Sequence, residues 1–291
     1  MECSVVIATK DRAQYLERAL ASLQAQSGAP AFEVVVADNG SSDGTRGVVE
    51  RYAGGGTALR YVAVPQPNRA RARNRAVEAA RGKYLLFCDD DVALPYGWVG
   101  AHAAAQRSGA GFVANGPILN VPSYAVRPTP KTANYSRAFL CTCNASLSRD
   151  AFTRVGGFDE SFNLYGWEDT ELGLRLRAAG MRWKFAWDAY LWHVKPPEQN
   201  TLTIEGRKAV EKARMARRFV AKHPSLRARL ATGAHTLNLL RARYLLPEWL
   251  VTLYAGLSAS HILPAWAGAI VRAQFLDAVY TRELLRAFDE R

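Results

Sequence analysis

Cysteine is scarce in this chain, with four among 291 residues. They are Cys3, Cys88, Cys141 and Cys143. No two of them form the C-x-x-C pair that is typical of structural zinc sites, which argues against a zinc-finger protein. Cys3 and Cys88 lie in apolar, strand-like runs, and we expect both to be buried thiols.

We expect no secretory signal peptide at the start of this sequence. Strand-like residues begin at once, with Cys3 to Ala8, where a leader would place its charged and apolar segments. We therefore expect a cytoplasmic protein. Peripheral attachment to the inner face of the plasma membrane is compatible with that location.

Acidic residues are too few to balance the basic ones. The chain has 26 Asp and Glu against 38 Lys and Arg, a formal net charge of +12. Such an excess indicates an acidic partner: nucleic acid, an anionic membrane surface or a phosphorylated substrate. No recognised nucleic-acid-binding module is present, so nucleic acid is the least favoured of the three.

What the sequence does contain is a regular alternation of strands and helices in its first hundred residues. With 49% hydrophobic residues the chain has material for a proper core. Repeated βαβ units predict an α/β fold with a mostly parallel sheet and helices on both faces. The predicted strands are Ser4–Ala8, Phe32–Ala37, Tyr61–Val64 and Tyr84–Cys88.

Polar clusters follow these strands, namely Thr9–Arg12, Asp38–Thr45, Asn68–Asn74 and Asp89–Asp91. Taken singly, they could be a helix cap, a turn, a basic helix start and a surface turn. Each follows a predicted strand, however, and ligands of parallel sheets bind at the carboxyl ends of strands. Three adjacent carboxylates also suit a hard divalent ion such as Mg²⁺ or Mn²⁺.

These clusters resemble family 2 glycosyltransferases of the GT-A fold. The resemblance continues through Gly156-Gly157-Phe158-Asp159-Glu160 and through Gly166-Trp167-Glu168-Asp169-Thr170-Glu171-Leu172. The last two motifs are similar to the acceptor side of galactosyltransferase-like and chondroitin-polymerase-like enzymes. The resemblance covers roughly residues 1–195.

The resemblance implies a binding site for a nucleotide-sugar, of which a UDP-sugar is the expected form. Asp38 would accept a hydrogen bond from the nucleobase, Asp89 would hold the ribose hydroxyls and Arg73 would lie near the diphosphate. The full set of implied donor-binding residues is Thr9, Asp11, Arg12, Asp38, Arg73, Asp89 and Asp90.

The resemblance also implies a metal site and a catalytic base. Asp91 would bind Mn²⁺ or Mg²⁺, with His193 completing the metal ligands; a surface histidine is the alternative for His193. Asp169 would take the proton of the acceptor hydroxyl in a single, inverting displacement. Trp167 and Glu168 would bind the acceptor, although Glu168 and Asp169 also suit an ordinary helix start.

A proline-rich stretch, Asn115–Lys131, lies between the donor and acceptor motifs. A segment of this kind inside a compact domain is usually functional or mobile. It could be a lid over the donor or a plain surface loop.

The last third differs in character. Basic residues recur from Arg207 to Arg243, and Trp249–Ile270 then has no charge except that of His261. Pro264 makes this a poor transmembrane helix and favours two shorter helices lying in a membrane interface. A helical subdomain or a homodimer contact is the alternative, and a true membrane span is the least favoured.

The sequence therefore predicts two regions: a GT-A nucleotide-sugar transferase domain over residues 1–205 and a basic, amphipathic helical region over 206–291. The predicted activity is metal-dependent, inverting transfer of a hexosyl group to a hydroxyl of a glycan or lipid-linked acceptor. A nucleotidyltransferase is less favoured because Ile7–Arg12 lacks the glycine-rich loop that it would need. A basic nucleic-acid-binding protein is the third possibility.

Overall fold

The computed structural model describes residues 1–196, 201–260 and 262–289. They divide into two compact units. The first contains Met1–Asn163 and Glu168–Pro196, and the second contains Leu164–Trp167 and the described residues from 201 onward. The short segment Leu164–Trp167 thus joins the second unit, although it lies within the residues 1–205 that the sequence assigns to the transferase domain.

The first unit alternates between strands and helices. Its strands are β1 Cys3–Thr9, β2 Phe32–Asp38, β3 Ala58–Ala63, β4 Tyr84–Cys88, β5 Val92–Ala93, β6 Phe112–Asn115, β7 Ile118–Val121, β8 Asn144–Ser148, β9 Arg182–Phe185 and β10 Leu191–Val194. Its helices are α1 Ala13–Gln24, α2 Thr45–Tyr52, α3 Arg69–Ala79, α4 Trp98–Arg107, α5 Arg149–Arg154 and α6 Glu168–Ala178, with a single 3-10 turn at Thr132–Asn134.

Seven strands form the main sheet, in the order β3-β2-β1-β4-β8-β6-β9. The pairs β3–β2, β2–β1, β1–β4 and β6–β9 are parallel. Only β8 runs antiparallel to its neighbours among these strands. The predicted mostly parallel α/β architecture is confirmed.

Both faces of this sheet are buried. Successive residues of a strand point to opposite faces, and on β1 Val5 and Ile7 pack with α1 and α4 whereas Val6 packs with α3 and α6. Because helices cover both faces, the central strands β1, β2 and β4 are almost continuously apolar and do not alternate.

The structure departs from the predicted elements at two places. The third strand begins at Ala58, three residues before the predicted Tyr61, because its pairing with β2 starts at Glu33 opposite Ala58. Part of the proline-rich stretch is a strand, β7, although the stretch was expected to be a loop or lid throughout.

A small second sheet has the order β5-β10-β7. The strand β10 is antiparallel to β5, with His193 opposite Val92, and parallel to β7. Since β5 directly follows the three aspartates, this pairing carries His193 to their side.

The second unit is helical. Its helices are α7 Leu202–Lys222, α8 Leu226–Thr232, α9 Thr236–Tyr244, α10 Glu248–Ala259 and α11 Ala265–Asp289. Its core joins Ala213, Ala216 and Val220 of α7 to Leu284 of α11. The region 249–270 contains the end of one helix, α10, and the start of another, α11, as the sequence predicted. His261 lies outside the described residues. In the described part of the chain we find no helix with the length and apolar character needed to cross a bilayer.

Candidate active site

The carboxyl ends of three neighbouring strands bring the predicted donor residues together. In the pairing of β1 with β2, Thr9 lies opposite Asp38. The strand β4 lies on the other side of β1, and Asp89–Asp91 follow its last residue, Cys88. The sheet therefore gathers these side chains at one edge, as parallel strands do.

Asp90 and Asp91 are both held by Arg12. Its Nη1 donates to Oδ1 of Asp90 at 2.8 Å, and its Nη2 donates to Oδ2 of Asp91 at 2.9 Å. The Thr9 hydroxyl donates to Oδ2 of Asp90 at 2.6 Å. Burial raises the pKa of Asp90 to about 7, despite the opposing effect of the Arg12 charge. Arg12 and Thr9 thus hold the Asp90 carboxylate in place.

Asp91 faces His193. Its Oδ1 is 3.0 Å from Nε2 of the imidazole, and both side chains are largely buried. Burial raises the pKa of Asp91, but His193 and Arg12 outweigh that effect and lower it below its ordinary value. Apart from this close contact with His193, the oxygen accepts no hydrogen bond of good geometry from the described residues. A buried carboxylate oxygen without a donor, beside an imidazole nitrogen, is a fitting ligand pair for a divalent ion.

Asp38 and Asp11 organise the loop after β2. The Tyr61 hydroxyl donates to Oδ2 of Asp38 at 2.6 Å, and the amide of Ser41 donates to Oδ1 at 2.9 Å. The amide of Ser42 donates to Asp11 at 2.6 Å. Asp11 has a φ of 51°, in the left-handed region that aspartate tolerates better than most residues.

Arg73 is a buried cation that faces several carboxylates. Its Nη2 is 3.5 Å from Asp89 and its Nη1 is 3.7 Å from Glu168. Burial alone would lower the pKa of Arg73, but the charges of Asp169, Asp89 and Glu168 raise it. Nη1 is buried and makes no hydrogen bond to any described residue. The guanidinium therefore has an unused donor at the site, which suits a phosphate oxygen.

Asp169 is held by a single residue, Thr142. The amide of Thr142 donates to Oδ2 at 2.8 Å, and its hydroxyl lies 2.9 Å from both carboxylate oxygens. Burial, and then the neighbouring charge of Glu168, raise the pKa of Asp169 to about 6. A carboxylate with this pKa is ionised at neutral pH and still basic enough to accept a proton.

Trp167 lies in the other unit, unlike the other predicted site residues. Its ring is 5.1 Å from that of Phe219 on α7, and its Nε1 donates to the carbonyl of Lys212 at 3.0 Å. Its φ of 73° is unfavourable for an aromatic residue. The helix α7 thus fixes the conformation of Trp167, which directly precedes Glu168 and Asp169 in the chain.

Two residues of the site were missed in the sequence analysis. One is Thr142, the partner of Asp169. The other is Cys143, whose Sγ lies 3.7 Å from Nδ1 of His193. Both precede the antiparallel strand β8, which carries no acidic motif or histidine that would have indicated them. Burial raises the pKa of the Cys143 thiol well above its ordinary value.

Two family profiles match this chain. The profile of glycosyl transferase family 2 matches residues 4–156, and that of the N-terminal domain of galactosyltransferase matches residues 124–195. The two matches overlap and together contain almost all of the first unit.

Among characterised proteins, the chain is similar to validoxylamine A glucosyltransferase of Streptomyces hygroscopicus subsp. limoneus. The two are 32% identical over 266 residues, which is 77% of this chain and 57% of that protein. The chain is also 26% identical to chondroitin synthase of Pasteurella multocida (strain Pm70), over 71% of this chain and 26% of the synthase. It thus spans little more than half of the first relative and about a quarter of the second.

Solved structures share the fold. The mannosyltransferase PcManGT from Pyrobaculum calidifontis, in complex with GDP-Man and Mn²⁺, has a TM-score of 0.65 at 19% identity, covering 100% of this chain and 88% of that one. TarS 1-349 of S. aureus, in complex with UDP-GlcNAc, has a TM-score of 0.58 at 21% identity, covering 98% and 92%. These neighbours have the GT-A fold. The chain under study is therefore a member of glycosyl transferase family 2 with the GT-A fold.

Proposed function

We propose that this protein transfers a hexosyl group from a nucleoside-diphosphate sugar, a UDP-sugar in the first instance, to a hydroxyl of an acceptor, with inversion at the anomeric carbon. One observation carries the proposal: no described residue makes a hydrogen bond of good geometry to the buried atoms Arg73 Nη1 and Asp91 Oδ1, although His193 Nε2 lies 3.0 Å from Asp91 Oδ1. Leaving such atoms unpaired is costly, and a diphosphate with a divalent cation would complement both.

The donor would bind across the ends of β1, β2 and β4. Asp38, held by hydrogen bonds from Tyr61 and Ser41, would accept a further hydrogen bond from a nucleobase N–H. Asp89 would receive the ribose hydroxyls, and Arg73 would contact the diphosphate. The known structures with similar folds hold UDP-GlcNAc in one case and GDP-Man in another, so the base has to be established by experiment.

Asp91 and His193 would hold Mn²⁺ or Mg²⁺. The unpartnered Oδ1 of Asp91 beside Nε2 of His193 fits such an ion, because carboxylate oxygen suits both ions and imidazole suits the first-row transition metals. A bound divalent ion would supply Lewis-acid stabilisation of the negative charge on the departing diphosphate.

Asp169 would act as the general base. The acceptor oxygen forms a bond to the anomeric carbon while the bond from that carbon to the diphosphate oxygen breaks. The hydroxyl proton passes to a carboxylate oxygen of Asp169. Thr142 orients that carboxylate through its amide and hydroxyl. Base catalysis of this kind contributes about 10²–10⁴-fold to the rate.

The acceptor would be a glycan or a lipid-linked sugar, bound by Glu168 and by Trp167. A basic surface on α7 and α8 supports contact with anionic lipid headgroups, and exposed apolar residues such as Trp249 and Trp266 would enter the interface. A homodimer through the same helices is the second candidate for this surface, because it too would cover the exposed apolar residues.

A panel of nucleotide sugars tests the proposal. Purified protein is incubated with each donor and Mn²⁺, with and without a mixed glycan acceptor, and released nucleotide is measured. We expect release with at least one UDP-sugar, accelerated by acceptor. If no nucleoside-diphosphate sugar is consumed or bound, the proposal is wrong. Salt-sensitive binding to DNA in place of donor binding would favour the alternative of a nucleic-acid-binding protein.

A further inference from the structure

The imidazole of His193 lies between two different sets of ligand atoms. Its Nε2 is 3.0 Å from Oδ1 of Asp91, and its Nδ1 is 3.7 Å from Sγ of Cys143. One ligand atom each from Asp89, Cys143 and His193 lie within 4.8 Å of one another. Oxygen, sulfur and nitrogen ligands thus converge in a small volume next to the proposed site for Mn²⁺ or Mg²⁺.

We propose that Asp89, Cys143 and His193 form a binding site for Zn²⁺. Thiolate and imidazole are ligands that Zn²⁺ prefers and that Mg²⁺ does not, and three protein ligands leave one position open. Ligand atoms of a tetrahedral Zn²⁺ are about 3.3–3.8 Å apart. The 3.7 Å between Sγ and Nδ1 is already in that range, and the Asp89 carboxylate belongs to the same cluster of ligand atoms.

Asp91, which would not itself bind the Zn²⁺, supports this assignment through its contact with His193. Histidines that bind a metal through one ring nitrogen commonly place the other nitrogen against a carboxylate, which fixes the tautomer and the ring orientation. With Zn²⁺ at Nδ1, the Nε2 proton of His193 would point towards Oδ1 of Asp91, 3.0 Å away. The thiol proton of Cys143 leaves to solvent when the ion binds.

The two metal positions exclude each other. A neutral imidazole has one lone pair on nitrogen, so His193 cannot bind Zn²⁺ through Nδ1 and Mn²⁺ through Nε2 at the same time. Zn²⁺ binds such ligands more tightly than Mn²⁺ does. Zn²⁺ would therefore inhibit transfer by competing with Mn²⁺, a consequence that rests on the proposed function, whereas Zn²⁺ binding itself does not.

Cobalt titration tests the site without any sugar. Co²⁺ replaces Zn²⁺ at sites of this kind, and a thiolate ligand produces a charge-transfer band in the near ultraviolet. We expect one equivalent of Co²⁺ to produce the band in the unaltered protein and in Cys141→Ser, the matched control two residues away. Cys143→Ser should lose the band.

Asp89→Asn provides a second variant that leaves the buried thiol in place. It should weaken Co²⁺ and Zn²⁺ binding by at least about tenfold, measured by competition with a chelating dye. Thermal unfolding of each variant without metal shows whether it is folded. Absence of the band from the unaltered protein overturns the proposal, and so does its persistence in Cys143→Ser or unchanged affinity in Asp89→Asn.

Inhibition is measured separately, by nucleotide release with Mn²⁺ at increasing Zn²⁺. Half-inhibition of Cys143→Ser should need at least about tenfold more Zn²⁺ than half-inhibition of Cys141→Ser. Equal sensitivity of the two variants contradicts mutual exclusion. If the protein shows the cobalt band but never releases nucleotide, the transferase proposal is wrong and the zinc site stands. If it releases nucleotide but shows no cobalt band, the zinc site is wrong and the transferase proposal stands.

Discussion

Two buried aspartates of the site have raised pKa values, but their surroundings give them different uses. Asp90 accepts a hydrogen bond on each oxygen, from Thr9 and from Arg12, so these residues restrain it. Asp169 interacts with Thr142 alone among the hydrogen bonds described, and it directly follows Glu168 at the start of α6. This difference supports the proposal that Asp169, and not Asp90, takes the proton of the acceptor hydroxyl.

Replacement of Asp169 by asparagine should abolish most turnover and preserve donor binding. The amide keeps the shape of the carboxylate and loses its basicity, so we expect the transfer rate to fall by about 10²–10⁴-fold. Donor affinity is measured by calorimetry and turnover by nucleotide release. Asp150→Asn, at an exposed position on α5, is the control and should retain its rate. If Asp169→Asn keeps more than about a tenth of the rate, another group is the base.

The pH dependence of kcat/KM should report the same residue. Because its pKa is raised to about 6, Asp169 becomes protonated as the pH falls through that value, and activity should fall with it. A profile of kcat/KM from pH 5 to 8 that stays flat would argue against Asp169 as the base.

The same raised pKa values affect stability. At Asp169 and Asp90 the folded state binds more protons than the unfolded state, so the contribution of these two groups to the free energy of unfolding increases as the pH falls.

At the residue scale, the sequence motifs predicted the carboxylates, the arginines and the histidine of the site but not the uncharged residues that contact them. Asp91, Asp169 and His193 stand in recognisable sequence contexts. Thr142 and Cys143 do not, because their relevance depends on the position of β8 in the sheet. The segment that precedes β8 is short and has no hydrophobic periodicity, so the sequence does not indicate which residues it will contact in the fold.

At the scale of secondary-structure elements, the pairing of β5 with β10 brings together the residues of the proposed metal site. Asp91 immediately precedes β5, and His193 lies opposite Val92 in the register. The sequence predicted the parallel units from their apolar runs, but β8 was missed because its buried residues include polar ones. Ser146 accepts a hydrogen bond from Gln106 of α4, so a polar residue is buried where an apolar one would be expected.

Asn144, the first residue of β8, links α4 to two loops. Its Oδ1 accepts a hydrogen bond from Trp98 Nε1 at 3.0 Å and lies 2.9 Å from a ring nitrogen of His102, while its Nδ2 donates to the carbonyls of Pro117 and Ala189. Removing this side chain leaves several buried polar groups without partners.

Asn144→Ala should therefore destabilise the protein by about 2–5 kcal/mol, measured by urea unfolding. Asn163→Ala, at an exposed position, should change stability by less than about 0.5 kcal/mol. Equal midpoints for the two variants would show that the Asn144 hydrogen bonds contribute nothing to stability.

At the scale of the whole molecule, charge differs between the regions. The formal charge of +12 is concentrated in part on exposed arginines of α7 and α8, such as Arg218, Arg227 and Arg229. The sequence predicted these helices from their apolar face, and predicted the break within 249–270 from Pro264. It did not predict that Leu164–Trp167 belongs to the helical unit, because that depends on packing against α7.

A flotation assay with anionic and neutral liposomes tests the membrane proposal. Replacing Arg218, Arg227 and Arg229 by glutamine should weaken association with anionic liposomes, by about 1 kcal/mol for each charge, and high salt should weaken it further. The same change at Arg81, Arg154 and Arg177, exposed positions of the first unit, is the control for net charge. If the unaltered protein stays unbound at low salt, packing or oligomer contact is the better account of these helices.

The central claim is that Asp91 and His193 hold a divalent ion on which transfer depends. Nucleotide release from the accepted donor is measured after chelation and again after adding Mn²⁺ or Mg²⁺. We expect chelation to abolish release and the metal to restore it in the unaltered protein and in Asp188→Ala, an exposed control. Asp91→Ala should stay inactive at every metal concentration. Full release in excess chelator, or restored release in Asp91→Ala, would contradict the account.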